Sequence, residues 1–362
     1  MDTENRAQRF HLMSPGLMVS RNRKTLRLLK ALFFFCLLQL DYSAANSAPL
    51  PVRINIGSAS VSSSAVSLWI AQEQGLFRKH GIEAQVVLIR GGPTLVASLV
   101  SGEIHLAFTS GVSLLGAAVQ GIDVKMLSSI SNRVSWKLIA SPNIKKPQDL
   151  PGKRFGIQSI VGSTWMYTML GLEHLGMDPK RDNITFVVIG DPVTIGHALE
   201  AGRIDAAVLD PVIVRRLMRK GFSVVADLSS ANIFFPGLGL GVTRAYLQQQ
   251  PEVVEKVVTA LVESFAFILS PPNRATVLKT LMKHLRISEP AVAEEGYQEH
   301  VLSLNRKPYP SLEGLRNVQR LMALQNPRVA NVKVEELVED RFVRKLDESG
   351  FIDRLYGAHG VK

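Results

Sequence analysis

A shift of 100 residues lays one stretch of this chain on another. Val87 falls on Val187, Ile89 on Ile189, Thr94 on Thr194, Leu99 on Leu199, Gly102 on Gly202 and Ile104 on Ile204; Ala107, Val112, Gly121 and Val124 then meet Ala207, Val212, Gly221 and Val224. The register holds without a gap, and apolar runs and amphipathic stretches stay in phase. A strand-helix-strand-helix-strand unit therefore occurs twice, and such a repeat constrains architecture before any single segment does. Two copies are too few for a solenoid. Two related α/β lobes, each a small, mainly parallel sheet flanked by helices, satisfy the pattern, and 362 residues accommodate both.

Around this repeat the series of elements is regular. Val52–Gly57 reads as a strand, Ser64–Lys79 as one helix, Ala84–Ile89 as a strand, Ala97–Ser101 as a helix, His105–Phe108 as a strand, Leu114–Gln120 as a helix and Val124–Ile130 as a strand. Trp136–Ala140, Arg154–Gln158, Ile184–Ile189, Ala206–Leu209 and Ser223–Ala226 continue the strands. Beyond the run Gly237-Leu238-Gly239-Leu240-Gly241-Val242 the pattern turns helical. Val253, Val254, Val257, Val258, Leu261, Val262, Phe265, Ala266 and Leu269 share one helical face until Pro271-Pro272 stops them. Amphipathic helices are expected over 274–285, 289–303, 311–324 and 335–348. This tail must bury its apolar faces on something already folded. Packing it on the first lobe divides the chain into 49–140, a second lobe at 141–240, and 241–362 completing the first, with the crossings between lobes forming a hinge.

Residues 1–45 have a different character. Arg21, Arg23, Lys24, Arg27 and Lys30 lead into the apolar run Ala31–Leu38, and Ser43-Ala44-Ala45-Asn46-Ser47-Ala48 follows. That is the three-part pattern of an export signal, with cleavage after Ala45 or Ala48. The apolar core falls well short of the roughly 20 residues a membrane span needs. Met13 and Met18 offer alternative starts. The expectation is a protein exported to the periplasm or another extracytoplasmic space. The whole chain carries a net charge of +11, but residues 1–45 hold seven Lys/Arg and three Asp/Glu, which leaves 35 basic against 28 acidic groups. Cys36 is the only cysteine and lies in the export segment, so the mature chain needs no disulfide, redox or cysteine-metal chemistry. No Lys/Arg cluster is interleaved with aromatics, which argues against a nucleic-acid partner.

In open α/β sheets a ligand sits beyond the carboxyl ends of the strands, where helix N-termini present unpaired N–H groups. Two segments combine that position with small hydroxyl residues: Ser62, Ser63 and Ser64 after the first strand, and Ser159, Gly162, Ser163 and Thr164 after Arg154–Gln158. Gly92, Thr109, Ser110 and Asp210 occupy other loops of the same edge. Asp210 reads either as an Asp-Pro turn former or as an acceptor for a ligand's amine or ring N–H. Arg90–Pro93, Ser128-Ser129 and Gly190-Asp191-Pro192 complete that edge. Trp69, Trp136, Trp165 and Tyr167 are candidates for an apolar wall or for core packing.

Motifs of catalysis are missing from the sequence. There is no His-Glu-x-x-His, no Gly-x-Ser-x-Gly and no Walker loop, and the glycines at 237, 239 and 241 lack dinucleotide-binding spacing. The histidines show no metal-ligand spacing. The chain is expected to be a binding protein without cofactor or metal.

Several segments carry a family resemblance. Leu68-Trp69-Ile70-Ala71-Gln72-Glu73-Gln74-Gly75-Leu76-Phe77-Arg78-Lys79-His80-Gly81-Ile82-Glu83-Ala84, Gly91-Gly92, Leu99–Ile104, Asp149–Gly156, Gly202–Ala207 and Phe342–Gly350 resemble solute-binding proteins of the sulfonate, nitrate, taurine and thiamine-pyrimidine-precursor family. His105 stands where that family commonly has Asp, while the second copy has Asp205. The resemblance implies the two-lobed periplasmic binding protein-like fold of type II, closing as a monomer over a sulfonate, nitrate, pyrimidine or aromatic carboxylate. It also implies delivery of that ligand to an ABC permease and its ATPase. Two alternatives stand beside this: an enzyme of the same family making the thiamine pyrimidine precursor, and a ligand-sensing partner of a membrane kinase or regulator.

Overall fold

The computed structural model describes residues 50–361 apart from Ser60; residues 1–45, expected from sequence to be an export signal, lie outside the described residues. Two five-stranded sheets organise the chain. The first contains β1 (Val52–Ser58), β2 (Ile82–Leu88), β3 (Leu106–Ser110) and β4 (Val124–Met126). The second contains β5 (Lys137–Ala140), β6 (Arg154–Ile157), β7 (Thr185–Val188), β8 (Ala206–Leu209) and β9 (Ser223–Asp227). β10 (Leu238–Thr243) returns to the first sheet. Strand order is β2-β1-β3-β10-β4 in one and β7-β6-β8-β5-β9 in the other, so the repeat seen in sequence is a repeat of topology.

In each sheet one strand runs against the others. β10 pairs antiparallel with β3 and β4, and β5 pairs antiparallel with β8 and β9. Each is the first strand laid down after the chain changes lobes. The two crossing segments run side by side, with Val134 N–H donating to Ile233 O at 2.9 Å and Phe235 N–H to Asn132 O at 3.0 Å. The glycine run at 237–241, which sequence reading left outside the strands, is this β10. Its glycines answer to close approach: a Cβ on Gly239 would lie 1.8 Å from the Ser128 carbonyl oxygen.

Helices cover the sheets: α1 (Val66–Glu73), α2 (Leu76–Lys79), α3 (Gly92–Ser101), α4 (Gly111–Val119), α5 (Ser163–His174), α6 (Pro192–Glu200) and α7 (Pro211–Arg219). The single helix expected over Ser64–Lys79 is divided at Gly75, whose φ of 69° ends α1, and it starts with a 3₁₀ turn at Ser63–Ala65. The strand expected to reach Ile130 stops at Met126, because Ser128 turns its Oγ to accept the N–H of Leu240. After β10 come α8 (Arg244–Gln249), α9 (Pro251–Leu269), α10 (Arg274–Leu285), α11 (Pro290–Ser303), α12 (Leu312–Ala323), α13 (Arg341–Glu348) and α14 (Phe351–Ala358). The helix expected over 335–348 splits into a 3₁₀ turn at Val334–Leu337 and α13, since Val338 leaves the helix to bridge Met126.

The stripe on α9 is buried from Val253 and Val254 through Phe265 and Ala266, while Leu269 at its end is only partly buried and Ile268 is buried in its place, and the helix packs on α1 and α2 of the first lobe. Each such aliphatic or aromatic side chain contributes about 1.5–3 kcal/mol on full burial. A second core gathers Ile195, Leu199, Ile204, Leu209 and Leu217 in the second lobe. A third is continuous across the hinge, joining Trp136, Tyr167, Phe235, Leu315 and Met322. No helix among the described residues is long and apolar enough to cross a membrane.

Candidate functional site

A cavity of about 740 Å³ opens between the lobes, bounded by loops at the carboxyl ends of both sheets. Nine of the eleven candidate ligand residues line it: Ser62, Ser64, Gly92, Thr109, Ser110, Ser159, Gly162, Ser163 and Thr164. Ser110 and Ser163 reach across the gap, their hydroxyl oxygens 2.9 Å apart. Gly92 is needed there because a Cβ would fall 2.0 Å from Ser113 Oγ.

The hydroxyls are not equivalent. Thr164 Oγ1 accepts the N–H of Gln158 at 2.7 Å, so it fastens the loop that leads into α5. Thr109, only 1% exposed, has no hydrogen-bond partner for its Oγ1 among the described residues. A buried hydroxyl without a partner is costly and rare in native proteins, so the position calls for an explanation.

Ser63 and Asp210 stand apart from this lining. Ser63 Oγ donates to Asp210 Oδ2 at 2.5 Å between the lobes, and Asp210 Oδ1 accepts the N–H of Val212 as the N-cap of α7. Both border a separate pocket of about 170 Å³. Asp210 thus takes the Asp-Pro turn-forming role that the sequence offered as one of its two readings, with Ser63 as a donor to its other oxygen. Burial first, and the charge of Asp210 second, push the Tyr167 phenol well above its ordinary range.

Of the candidate aromatic wall, Trp136 and Tyr167 line the cavity, their rings 4.7 Å apart. Trp69 instead stacks on His284 at 4.3 Å, and Trp165 packs edge-on against Phe186 inside the second lobe. Ser128 and Ser129 are fully buried behind β10. Arg90 and Asp191, from loops expected at this edge, line the cavity as well, and so do Arg133 and Met322, which no sequence signal singled out. Arg133 belongs to a crossing segment and Met322 to the helical tail, where no local pattern marks either as a cavity residue.

The repeat exposes an electrostatic asymmetry. In the second lobe Asp191 caps α6 by accepting the N–H of Thr194 at 2.9 Å, and Asp210 caps α7. The matching positions in the first lobe are Gly91 and Ser110, which head α3 and α4 without any side-chain cap. The N-terminus of α5, headed by Gly162, likewise has none. These three helix starts all border the cavity. The first turn of a helix holds unpaired N–H donors and the positive end of its dipole, each favouring a negative group. Arg90 approaches Asp191 at 3.8 Å across the mouth. The titratable side chains of the lining are Arg90, Arg133, Asp191 and Tyr167. No cluster of three or more His, Cys, Asp or Glu suited to a metal occurs among the described residues.

Comparison with known proteins agrees with this layout. Over 211 residues the chain is 27% identical to the taurine-binding periplasmic protein of Escherichia coli K12, covering 56% of this chain and 63% of that protein. Over 220 residues it is 26% identical to the riboflavin-binding protein RibY of Chloroflexus aurantiacus, covering 57% and 59%. The match thus spans less than two thirds of the length of these relatives. Among solved structures, the alkanesulfonate-binding protein SsuA of Xanthomonas axonopodis bound to MOPS superposes with a TM-score of 0.64 at 21% identity, over 81% of this chain and 100% of that one. The periplasmic aliphatic sulphonate binding protein SsuA of Escherichia coli gives 0.65 at 20% identity, over 79% and 97%. At that identity the likeness shows a shared periplasmic binding protein fold. The family model described as NMT1/THI5 like matches residues 63–275, well over half of the chain. The chain belongs to the NMT1/THI5-like family.

Proposed function

We propose that this chain is the exported receptor of an ABC importer, capturing a small polar or anionic organic molecule between its lobes and presenting it to a membrane permease. One observation carries the reading: three helix N-termini without side-chain caps border a single cavity between lobes. Such a site stabilises a negative group without needing a lysine. The reading treats 49–140 with 241–362 as one lobe and 141–240 as the other, and Ser62, Ser64, Gly92, Thr109, Ser110, Ser159, Gly162, Ser163 and Thr164 as the ligand's surroundings. A ligand that touches both lobes favours the closed form by its differential affinity. The protein acts as a monomer in the periplasm, reached through the segment 1–45. Relatives that bind taurine and riboflavin, by name, support a transport role.

The test is calorimetry and thermal shift with taurine, nitrate, alkanesulfonates, pyrimidines and aromatic carboxylates. Saturating binding should raise Tm by linkage, and loss of the gene should abolish uptake of the same compound. Silence with every member of the panel would overturn the reading. Fractionation and N-terminal sequencing test export.

A further inference from the structure

The helical tail packs on the second lobe through α11 and α12, and the two contacts differ in kind. α12 lies against α5: Leu315 and Met322 share one continuous core with Tyr167 and Phe235, and Arg320 donates to both carboxylate oxygens of Glu173 at 2.8 Å. Parting that contact would bring buried apolar side chains into water. α11 lies against α7, where Val212, Val292 and Ala293 are buried but belong to none of the three cores. Gly296 allows the approach, since a Cβ on it would fall 2.0 Å from Val212 Cγ2. The rest of the contact is charge: Arg219 pairs with Glu289, and Glu295 stands 3.9 Å from Arg219 and 3.7 Å from Arg215. All four side chains are partly exposed, so these pairs hold weakly. Val212 and Val292 also wall the pocket of about 170 Å³ beside Ser63 and Asp210, so the contact adjoins a gap rather than a filled core.

α11 itself is fastened to the first lobe. Tyr297 Oη donates to Ile268 O of α9 at 2.8 Å, Glu294 accepts from Arg274 Nε of α10 at 3.0 Å, and just beyond the helix the Asn305 N–H donates to Ile130 O at 2.8 Å. α10 in turn is held on α1, where Glu73 accepts from Thr280 and Lys283. When the lobes separate, the contact that yields is therefore the one between α11 and α7. We propose that α11 is a clasp: it grips α7, holds the unliganded protein closed, and releases α7 when the lobes open, while α12 and α5 stay together as the pivot. The protein supplies every contact of the clasp, so no solute is needed to form it. The proposal rests on the reading of two lobes that close over a solute, and its test uses no ligand, so its failure leaves that reading standing.

The experiment is a distance measurement by double electron–electron resonance on the unliganded full chain carrying Cys36→Ser. One sample bears nitroxides at Leu88→Cys and Val188→Cys, the exposed ends of β2 and β7, one in each lobe; a second bears them at Met218→Cys on α7 and Leu302→Cys on α11, also exposed. Without further change, each pair should show one short distance. Gly296→Ala, which drives a methyl into Val212 Cγ2, should add a longer population to both pairs. Val212→Ala with Gly296→Ala removes the colliding methyl, leaves 3.3 Å to the Cβ of residue 212, and should bring both pairs back. Glu289→Lys sets like charges on Arg219 and should lengthen both pairs as well, which serves if the alanine variant does not fold. Unchanged distances in a folded Gly296→Ala or, failing that, in Glu289→Lys would overturn the proposal. So would a chain already open before either change, a double variant as open as Gly296→Ala, or lobes that part while the α7–α11 pair keeps its short distance.

Discussion

His105 Nδ1 accepts the backbone N–H of Asn55 at 3.0 Å, the place taken in the second lobe by Asp205, whose Oδ2 accepts the N–H of Arg154 at 2.8 Å. In both lobes the return bond is present, from His105 N–H to Asn55 O and from Asp205 N–H to Arg154 O. An imidazole nitrogen thus does a carboxylate's work at the edge of β1, which is why the substitution leaves the repeat intact.

His105→Asp should restore the bond in its commoner form and change stability by less than about 0.5 kcal/mol. His105→Leu should cost about 1–2 kcal/mol, since it leaves the Asn55 N–H without that acceptor. Urea unfolding compares the two; equal losses would sink the account.

The Ser63–Asp210 hydrogen bond ties the lobes away from the ligand cavity, and Asp210 also caps α7. Ser63→Ala should remove one of the ties between the lobes at a cost of about 1 kcal/mol, whereas Asp210→Ala loses bond and cap together and should cost about 2 kcal/mol or more. Small-angle scattering of unliganded Ser63→Ala should show a larger radius of gyration than the parent.

Burial lowers the His300 imidazole to about 4 from its usual 6.5, and its Nε2 has no partner among the described residues. Between those pH values the unfolded chain holds a proton that the folded one refuses, so stability falls as pH drops through that window. The loss is on the order of 3 kcal/mol once pH is below about 4. Denaturation of the parent and of His300→Leu at pH 7, 5.5 and 4.5 isolates this group. A parent curve no steeper than the variant's would refute it.

Two glycines outside the ligand cavity should respond in opposite directions to alanine. Gly239→Ala drives a methyl into the Ser128 carbonyl and should cost about 3 kcal/mol or more. Gly357, within α14 and with nothing near its absent Cβ, should gain about 0.5–1 kcal/mol. Thermal unfolding of both variants reads the contrast.

The repeat was legible because its apolar positions recur at fixed spacing in sequence, and β2, β3 and β4 carry them in one copy and β7, β8 and β9 in the other. β10 was not, since a strand with glycine at every second position violates residue preference and exists only where Ser128 and Leu114 crowd it. Loop hydroxyls such as Ser110 and Ser163 could be assigned to the cavity edge from their order after strands. Which hydroxyl is already paired could not: Thr164 and Thr109 look alike as residues, and only the Gln158 N–H distinguishes them. Asp210 and Ser63 likewise satisfy each other from positions 147 residues apart.

The exchanged strand β10 also sets an order of events. A chain emerges from the ribosome N-terminus first, yet β3 and β4 wait for residues 238–243 before their sheet can close, while every strand of the other sheet lies within 137–227. The lobe made second is therefore the first able to finish. The earlier one stays open at its centre until the chain has crossed back, and Phe108 and Met126, neighbours of that gap, remain unshielded from aggregation and from holding chaperones for the whole interval.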